Sequence, residues 1–360
     1  IGLLVLLILL RRSPGAPGAP GDHAAALLRL FIYGLLLDGL VMTVEGAIDV
    51  LETAIGDSAP EGDESDILAL GLALLCEGGP TFGLLLRHVT GTLRGSPAER
   101  TSAAWTLFLD AALFISLLYT MVGAFEALDD LIGPDDFEVV SLVAPLVWGA
   151  AWALHWFRLL RVFGASSDLH LATGSATGLV ALGIGSGGLL GELLRRGYVE
   201  VTDLSGAEPA LREWAIVAAL GAVVWAWYWW REYRSAPRSD AWYVHVLLVG
   251  ALGGMGATIV ASATGLYDVL VWAIGDRGGA PADEHFEWLP ASVGVLAVGA
   301  ASWAYHRWVI GRDEPDVRTG PMRVYDYLVA AAGLVASIVA LSVGIVAVIE
   351  GVTPEPRGVD

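Results

Sequence analysis

Nine long apolar stretches dominate the sequence and limit what the chain can fold into. Each can cross a hydrocarbon layer of ~30 Å as an α-helix, and they are too long, and lack the two-residue alternation, to be strands. In lipid a helix also satisfies its own backbone hydrogen bonds, which an open strand cannot do. The predicted spans are 24–55, 67–90, 104–132, 138–161, 169–195, 212–231, 241–274, 288–309 and 323–350, and residues 1–10 would end a tenth, or form a signal-peptide core. We therefore predict an all-α polytopic transmembrane helical bundle of about 9–10 helices.

The composition supports a membrane protein and excludes several other classes. The 360 residues are 55% hydrophobic and 16% charged, whereas soluble proteins carry about 25% charged residues. The net charge of −19 argues against nucleic-acid binding, which needs a basic surface. Cys76 is the single cysteine, so neither an internal disulfide nor a cysteine-rich metal site is expected.

The loops alternate between acidic and arginine-rich. The acidic loops hold Asp57, Glu61, Asp63, Glu64 and Asp66, then Asp135, Asp136 and Glu138, then Asp276, Asp283, Glu284 and Glu287. The arginine-rich loops hold Arg94 and Arg100, then Arg158 and Arg161, then Arg231, Arg234 and Arg238, then Arg307, Arg312, Arg318 and Arg323. The positive-inside rule predicts that the arginine-rich loops, with Arg11 and Arg12, are cytoplasmic and that the acidic loops and the C-terminus lie outside. Arg195, Arg196, Arg212 and Arg277 are a minority on the other side.

A two-helix hairpin is predicted to repeat about five times in parallel. A shift of 77 residues aligns the first span with the third and places Gly46 on Gly123 and Asp49 on Glu126. Matched glycines and acids in one register are improbable by chance, and repeats fix the architecture. The predicted divisions are 1–23 (a helix end and a Pro/Gly-rich cytoplasmic loop), the hairpins 24–100, 101–165, 166–238 and 239–320, and 321–360 (a last outgoing helix and tail).

The ends of the hairpins carry short aromatic motifs. An Arg-x-aromatic-x-Tyr start is clearest at 29–33 and 323–327, and a Trp-x-x-His-Trp end is clearest at 152–156. These motifs resemble those of an uncharacterised prokaryotic multi-pass membrane family, a domain of unknown function whose members repeat such hairpins. The third unit departs from the pattern, with His170 and Ala172 at its start and Tyr228 in place of the histidine. The resemblance implies this fold in a prokaryotic plasma (inner) membrane, and it implies no activity.

Four carboxylates inside the predicted spans are candidates for an ion or proton path, because carboxylates at membrane depth are costly and often functional. They are Asp38, Glu45, Glu77 and Asp110. Asp49 and Glu52 share a helix face with the first two, but the length of that helix places them at the outer interface.

Aromatic and basic residues cluster at the predicted cytoplasmic ends of the helices. We predict that they form one interfacial belt, because amphipathic rings prefer the headgroup zone and arginines can reach the same headgroups. Its members are Trp156, Trp229, Trp230, Trp308, Tyr325, Tyr327, Arg158, Arg231 and Arg307. The histidines His88, His155, His170, His245 and His306 fall on the same side and are assigned to the belt rather than to a cofactor.

Glycine pairs spaced four residues apart predict close helix packing, because small residues let helix backbones approach each other in lipid. The pairs are Gly174 with Gly178 and Gly250 with Gly254. A broken transport helix is the alternative interpretation.

The chain shows no catalytic motif, so we predict neither an enzyme nor a cofactor. One hypothesis is a non-catalytic integral membrane subunit or scaffold, with membrane lipids and the subunits of a membrane complex or a homo-oligomer as its partners. The alternative is a transporter or channel for an ion or small solute that uses the intramembrane carboxylates. A membrane enzyme or electron carrier is a third, weaker hypothesis.

Overall fold

The computed structural model describes residues 22–56, 63–134, 137–198, 207–274, 281–312 and 320–352. The predicted helix end at 1–10, Arg11 and Arg12 lie outside these residues, as do parts of the predicted loops: Asp57, Glu61, Asp135, Asp136, Asp276, Arg277 and Arg318. Within the described ranges, nine helices are long and apolar enough to cross a membrane. The predicted all-α polytopic bundle is therefore confirmed.

The helices follow the predicted spans closely. They are α1 (Asp22–Ile55), α2 (Asp63–Gly95), α3 (Ala103–Ile132), α4 (Val139–Phe163), α5 (Leu169–Tyr198), α6 (Ala207–Tyr233), α7 (Asp240–Ile274), α8 (Leu289–Arg312) and α9 (Gly320–Val352). One-turn helices precede α3 and α8, at Pro97–Arg100 and Ala282–His285. Three helices contain a π-helical turn: α4 at Leu154–Leu160, α6 at Ala226–Tyr233 and α7 at His245–Leu252.

Serine residues cap α3 and α7 in the same way. The hydroxyl of Ser102 accepts a hydrogen bond from the backbone N–H of Trp105, and that of Ser239 accepts one from Trp242. A serine at this position satisfies one of the unpaired N–H groups of the first turn. Each cap is followed by a buried tryptophan, so the motif that starts the helix also anchors it in the bundle.

Consecutive helices pack as neighbours, and the pairs form a row. The contacts join α1 with α2, α3 with α4, α5 with α6 and α7 with α8, while α3 also packs on α1, α5 and α6, and α5 on α8. Helix α2 packs chiefly on α1, and α9 chiefly on the start of α7. The two ends of the row are therefore helices with little protein around them: 11% of the apolar window of α2 is buried, and 6% of that of α9.

The four predicted packing glycines lie at close helix contacts. A Cβ atom added at Gly178 would meet the backbone of Trp225, with 2.8 Å to its Cα, and one at Gly254 would lie 2.7 Å from the carbonyl oxygen of Gly299. Gly174 faces the ring of Tyr228, and Gly250 faces the ring of His306. The glycines thus allow α6 to pack closely on α5, and α8 to pack closely on α7.

Candidate functional site

Asp110 is buried where α3 meets the N-terminus of α5. Its Oδ1 accepts a hydrogen bond from the backbone N–H of His170 at 3.0 Å, and its Oδ2 accepts one from the hydroxyl of Ser167 at 3.4 Å. A carboxylate at a helix N-terminus satisfies an unpaired N–H group and faces the positive end of the helix dipole. This geometry gives Asp110 the role of a capping residue supplied by a neighbouring helix.

Replacement of Asp110 tests this role. We expect Asp110→Ala to lower the free energy of unfolding by about 1–3 kcal/mol, because the N–H of His170 loses its partner in a buried position. Asp110→Asn keeps an acceptor oxygen, so its free energy of unfolding should fall clearly less than that of Asp110→Ala. Thermal unfolding of the purified protein in mild detergent measures both, and equal melting temperatures for the wild type and Asp110→Ala would contradict the capping role.

Glu45 is half-buried between α1 and α4. The side chain of Trp148 on α4 lies beside its carboxyl group, and the ring of Trp148 is buried. Asp49 and Glu52 lie near it toward the end of α1, and Glu126 of α3 lies near Glu52. Glu45 therefore belongs to an acidic group at one end of the α1–α3 contact.

Asp38 and Glu77 are exposed on the outside of the first hairpin. At about 100° per residue, both turn away from α3, to the same side of the α1–α2 pair. Further exposed residues of α2, spaced three or four positions apart, lie on the same side as Glu77. We call this surface the open face and define it as Asp38, Glu77, Thr81, Leu84 and His88, all of which are exposed.

The four predicted acids thus occupy different places and do not meet in one cavity among the described residues. An open groove of about 570 Å³ does lie between α3, α5 and α6. Its walls are apolar, with Leu118, Val122 and Phe125 from α3 and Val180 and Ile184 from α5. None of the four acids lines it, so it offers room for hydrocarbon and no path for an ion.

Aromatic residues of the predicted belt belong to two sets of packed aromatic side chains, one around Trp156 and one around Trp229, which together we call the aromatic layer. Trp156 contacts Trp227 at 6.2 Å between ring centroids, Trp229 donates a hydrogen bond to the hydroxyl of Tyr305 at 2.8 Å, and Tyr305 contacts Trp308 at 6.0 Å. The arginines lie beside the rings: Arg231 over Trp227 at 4.2 Å, and Arg307 over Tyr325 at 5.9 Å. That this layer lies at the cytoplasmic headgroups stays a prediction.

The belt residues divide into two groups with different surroundings. Trp230, Trp308 and Tyr327 are exposed, as are Arg158, Arg231 and Arg307. In contrast, Trp156, Trp229 and Tyr325 are buried by protein. The buried rings pack the bundle and do not reach headgroups, which differs from the single anchoring role that the sequence predicts for all of them.

Four histidines are also inside the bundle: His155, His170, His245 and His306. His245 Nε2 lies 3.0 Å from the hydroxyl of Ser175, and His306 Nδ1 lies 2.8 Å from the carbonyl oxygen of Ser302. Their rings pack against Trp229. Within the part of the chain that the structure describes, no group of three or more His, Cys, Asp or Glu side chains could hold a metal ion.

Glu99 is a buried polar residue that belongs to none of the sequence motifs. Its carboxylate accepts a hydrogen bond from the hydroxyl of Tyr33 at 3.1 Å and pairs with Arg29 Nε at 3.0 Å. It ties the start of α1 to the turn before α3. Its signal in the sequence is its position as a lone acid in an arginine-rich loop, four residues before Ala103.

Comparison with known protein families gives two matches to one family model. The domain of unknown function DUF5671 matches residues 29–157 and again residues 168–286, together more than half of the chain. This chain belongs to the DUF5671 family. The first DUF5671 match begins in α1 and ends in α4, and the second begins just before α5 and ends between α7 and α8. No curated protein and no solved structure matches the chain.

Proposed function

We propose that this DUF5671 protein is a non-catalytic integral membrane subunit that packs against another protein through the open face. The observation that carries the proposal is the exposure of Asp38 and Glu77 at membrane depth. Ionisable side chains within membrane spans almost always face protein or a water-filled cavity, because hydrocarbon does not solvate them. A second protein on the open face would remove both carboxylates from lipid.

The depth of the two carboxylates follows from their positions in the spans. Asp38 lies 12 residues from the start of Ala26–Ile55, and Glu77 lies 12 residues from the start of Ser65–Gly95. At 1.5 Å per residue each is ~18 Å from the nearer end of its span. A ~30 Å hydrocarbon layer centred on such a helix begins roughly 7 Å from the end, so both carboxylates lie roughly 10 Å inside it.

The transporter alternative has less support. It needs the carboxylates to share a hydrated path. In the described residues Asp110 caps a helix, Glu45 lies beside Trp148, and Asp38 and Glu77 face outward. The prokaryotic plasma membrane, the cytoplasmic position of the arginine-rich loops and the five-fold hairpin repeat belong to the same proposal. The alternation of loop charge and the aligned motifs support them.

Site-directed cross-linking in intact membranes tests the proposal. In a Cys76→Ser background, Thr81→Cys places a single thiol on the open face, and Val223→Cys places one on an exposed position of α6 as the matched control. A thiol-reactive photo-cross-linker should join Thr81→Cys, and not Val223→Cys, to a discrete protein. A chain that stays uncross-linked at Thr81→Cys and elutes as a monomer in mild detergent would refute a subunit role.

A further inference from the structure

The charge of the partner can be inferred from the depth of Glu77, provided that the open face is the docking surface proposed above. A carboxylate that is taken out of water is stabilised best by a hydrogen-bonded base at the same depth. A second copy of this chain could supply that base only if one of its own basic residues lies at the depth of Glu77.

Basic side chains of this chain lie near the helix ends. Every arginine and histidine of the nine described helices is within eight residues of an end of its helix, and the chain has no lysine. Glu77, in contrast, is 12 and 18 residues from the two ends of its span. On α2 itself the nearest arginine is Arg87, ten residues or ~15 Å away along the axis.

A symmetric oligomer in a membrane does not change these depths. Copies of one chain with the same orientation are related by rotation about the membrane normal. Each residue of one copy can therefore contact only residues of the other copy that lie at the same depth. A second copy could bring Arg87 toward Asp38. The contacts of Gly39 with Phe82 and of Gly78 with Thr43 fix the register of α1 against α2, and in this register Arg87 and Asp38 lie ~6 Å apart along the axis. Among its described residues, the same copy offers Glu77 no base at its level.

We propose that the open face binds a different membrane protein, one whose transmembrane helix carries an arginine, lysine or histidine at the depth of Glu77. The spacing of the contact is set by the face itself. Glu77, Thr81, Leu84 and His88 follow the four-three-four spacing of one helix side, so the partner segment is a helix running along α2. Its basic residue meets Glu77, and its apolar side covers Leu84.

The test combines the Thr81→Cys cross-link with neutral substitutions. Glu77→Gln is expected to reduce the cross-linked species at least about tenfold, because it leaves the partner's charge buried and unpaired. Glu77→Asp, which keeps the charge, and Asp66→Asn, which neutralises an exposed carboxylate near the end of the same helix, should leave the yield within about twofold. Mass spectrometry of the product identifies the partner, which is expected to carry a basic residue inside an apolar span. Elution of each variant as one symmetric peak in detergent shows that it is folded.

The outcomes separate the inference from the proposal on which it rests. Cross-linking between two differently tagged copies of this chain, or a heteromeric product with the same yield in Glu77→Gln, would overturn the charged-partner inference while the subunit role stands. A Thr81→Cys protein with no product would overturn both. Loss of a heteromeric product in Glu77→Gln, with retention in Glu77→Asp, supports both.

Discussion

The Gly178→Leu variant is expected to lose the native packing of α5 on α6, whereas Gly183→Leu in the same helix is expected to behave like the wild type. A side chain at position 178 would collide with the main chain of Trp225, at 2.8 Å from its Cα. A backbone cannot rotate aside as a flexible side chain can, so the two helices must separate. Overpacking of this kind costs about 1–3 kcal/mol and occasionally more, and here it acts on the main contact between two spans.

Gly183 supplies the matched control, because no atom lies within 4 Å of a Cβ added there. Leucine also favours helix over glycine by roughly 0.5–1 kcal/mol, so Gly183→Leu should unfold at the same or a slightly higher temperature. The measurement is thermal unfolding in mild detergent, followed by the loss of the monodisperse elution peak. Equal melting temperatures for the two variants would show that the α5–α6 contact is looser than the structure indicates.

The number and bounds of the helices could be predicted from the sequence because lipid imposes them. A span needs about 20 apolar residues, and each of the nine predicted spans overlaps one described helix over most of its length. The packing glycines could be found for a related reason. Close backbone approach in lipid needs residues without side chains, and Gly178 and Gly254 stand in that spacing.

The faces of the helices could not be predicted in the same way. In a soluble protein the polar side of a helix marks the solvent, but in a membrane both the protein interior and the lipid are apolar. Trp156 and Trp230 therefore look alike in the sequence, and only the structure shows that the first is buried and the second exposed. The same ambiguity applies to Asp38 and Asp110, of which one faces outward and the other caps a helix.

The buried histidines show a second limit of the sequence. Near the end of a span, a histidine beside tryptophan and arginine is typical of an interfacial belt. His306 is instead enclosed because Gly250, on the adjacent helix, leaves space for its ring. Gly250 and His306 are 56 positions apart, so no local sequence pattern predicts this contact.

Two adjacent tryptophans of α6 provide the other large expected effect. We expect Trp229→Ala to lower the free energy of unfolding by about 3–5 kcal/mol, the usual range for a buried tryptophan or phenylalanine truncated to alanine. The side chain of Trp229 is fully buried. Its ring packs against Trp242 and against His245, at 6.2 Å and 5.2 Å between ring centroids, and its indole N–H donates to Tyr305 at 2.8 Å. Removing the ring leaves a void where α6, α7 and α8 meet, and it removes the hydrogen bond to the hydroxyl of Tyr305.

Trp230, the next residue, is the control. Its side chain is 49% exposed, and the guanidinium carbon of Arg234 lies 4.8 Å from its ring centroid. Its ring also packs edge-on against Trp225 and is stacked on Tyr305, at 5.9 Å and 6.1 Å between ring centroids. An exposed cation–π contact contributes about 0.5–1 kcal/mol and an aromatic pair about 0.5–1.5 kcal/mol, so Trp230→Ala should lower the melting temperature clearly less than Trp229→Ala. Both variants can be followed by thermal unfolding in the same detergent. A Trp230→Ala variant as unstable as Trp229→Ala would contradict the division of the aromatic layer into buried and exposed rings, because it would mean that protein also encloses the exposed one.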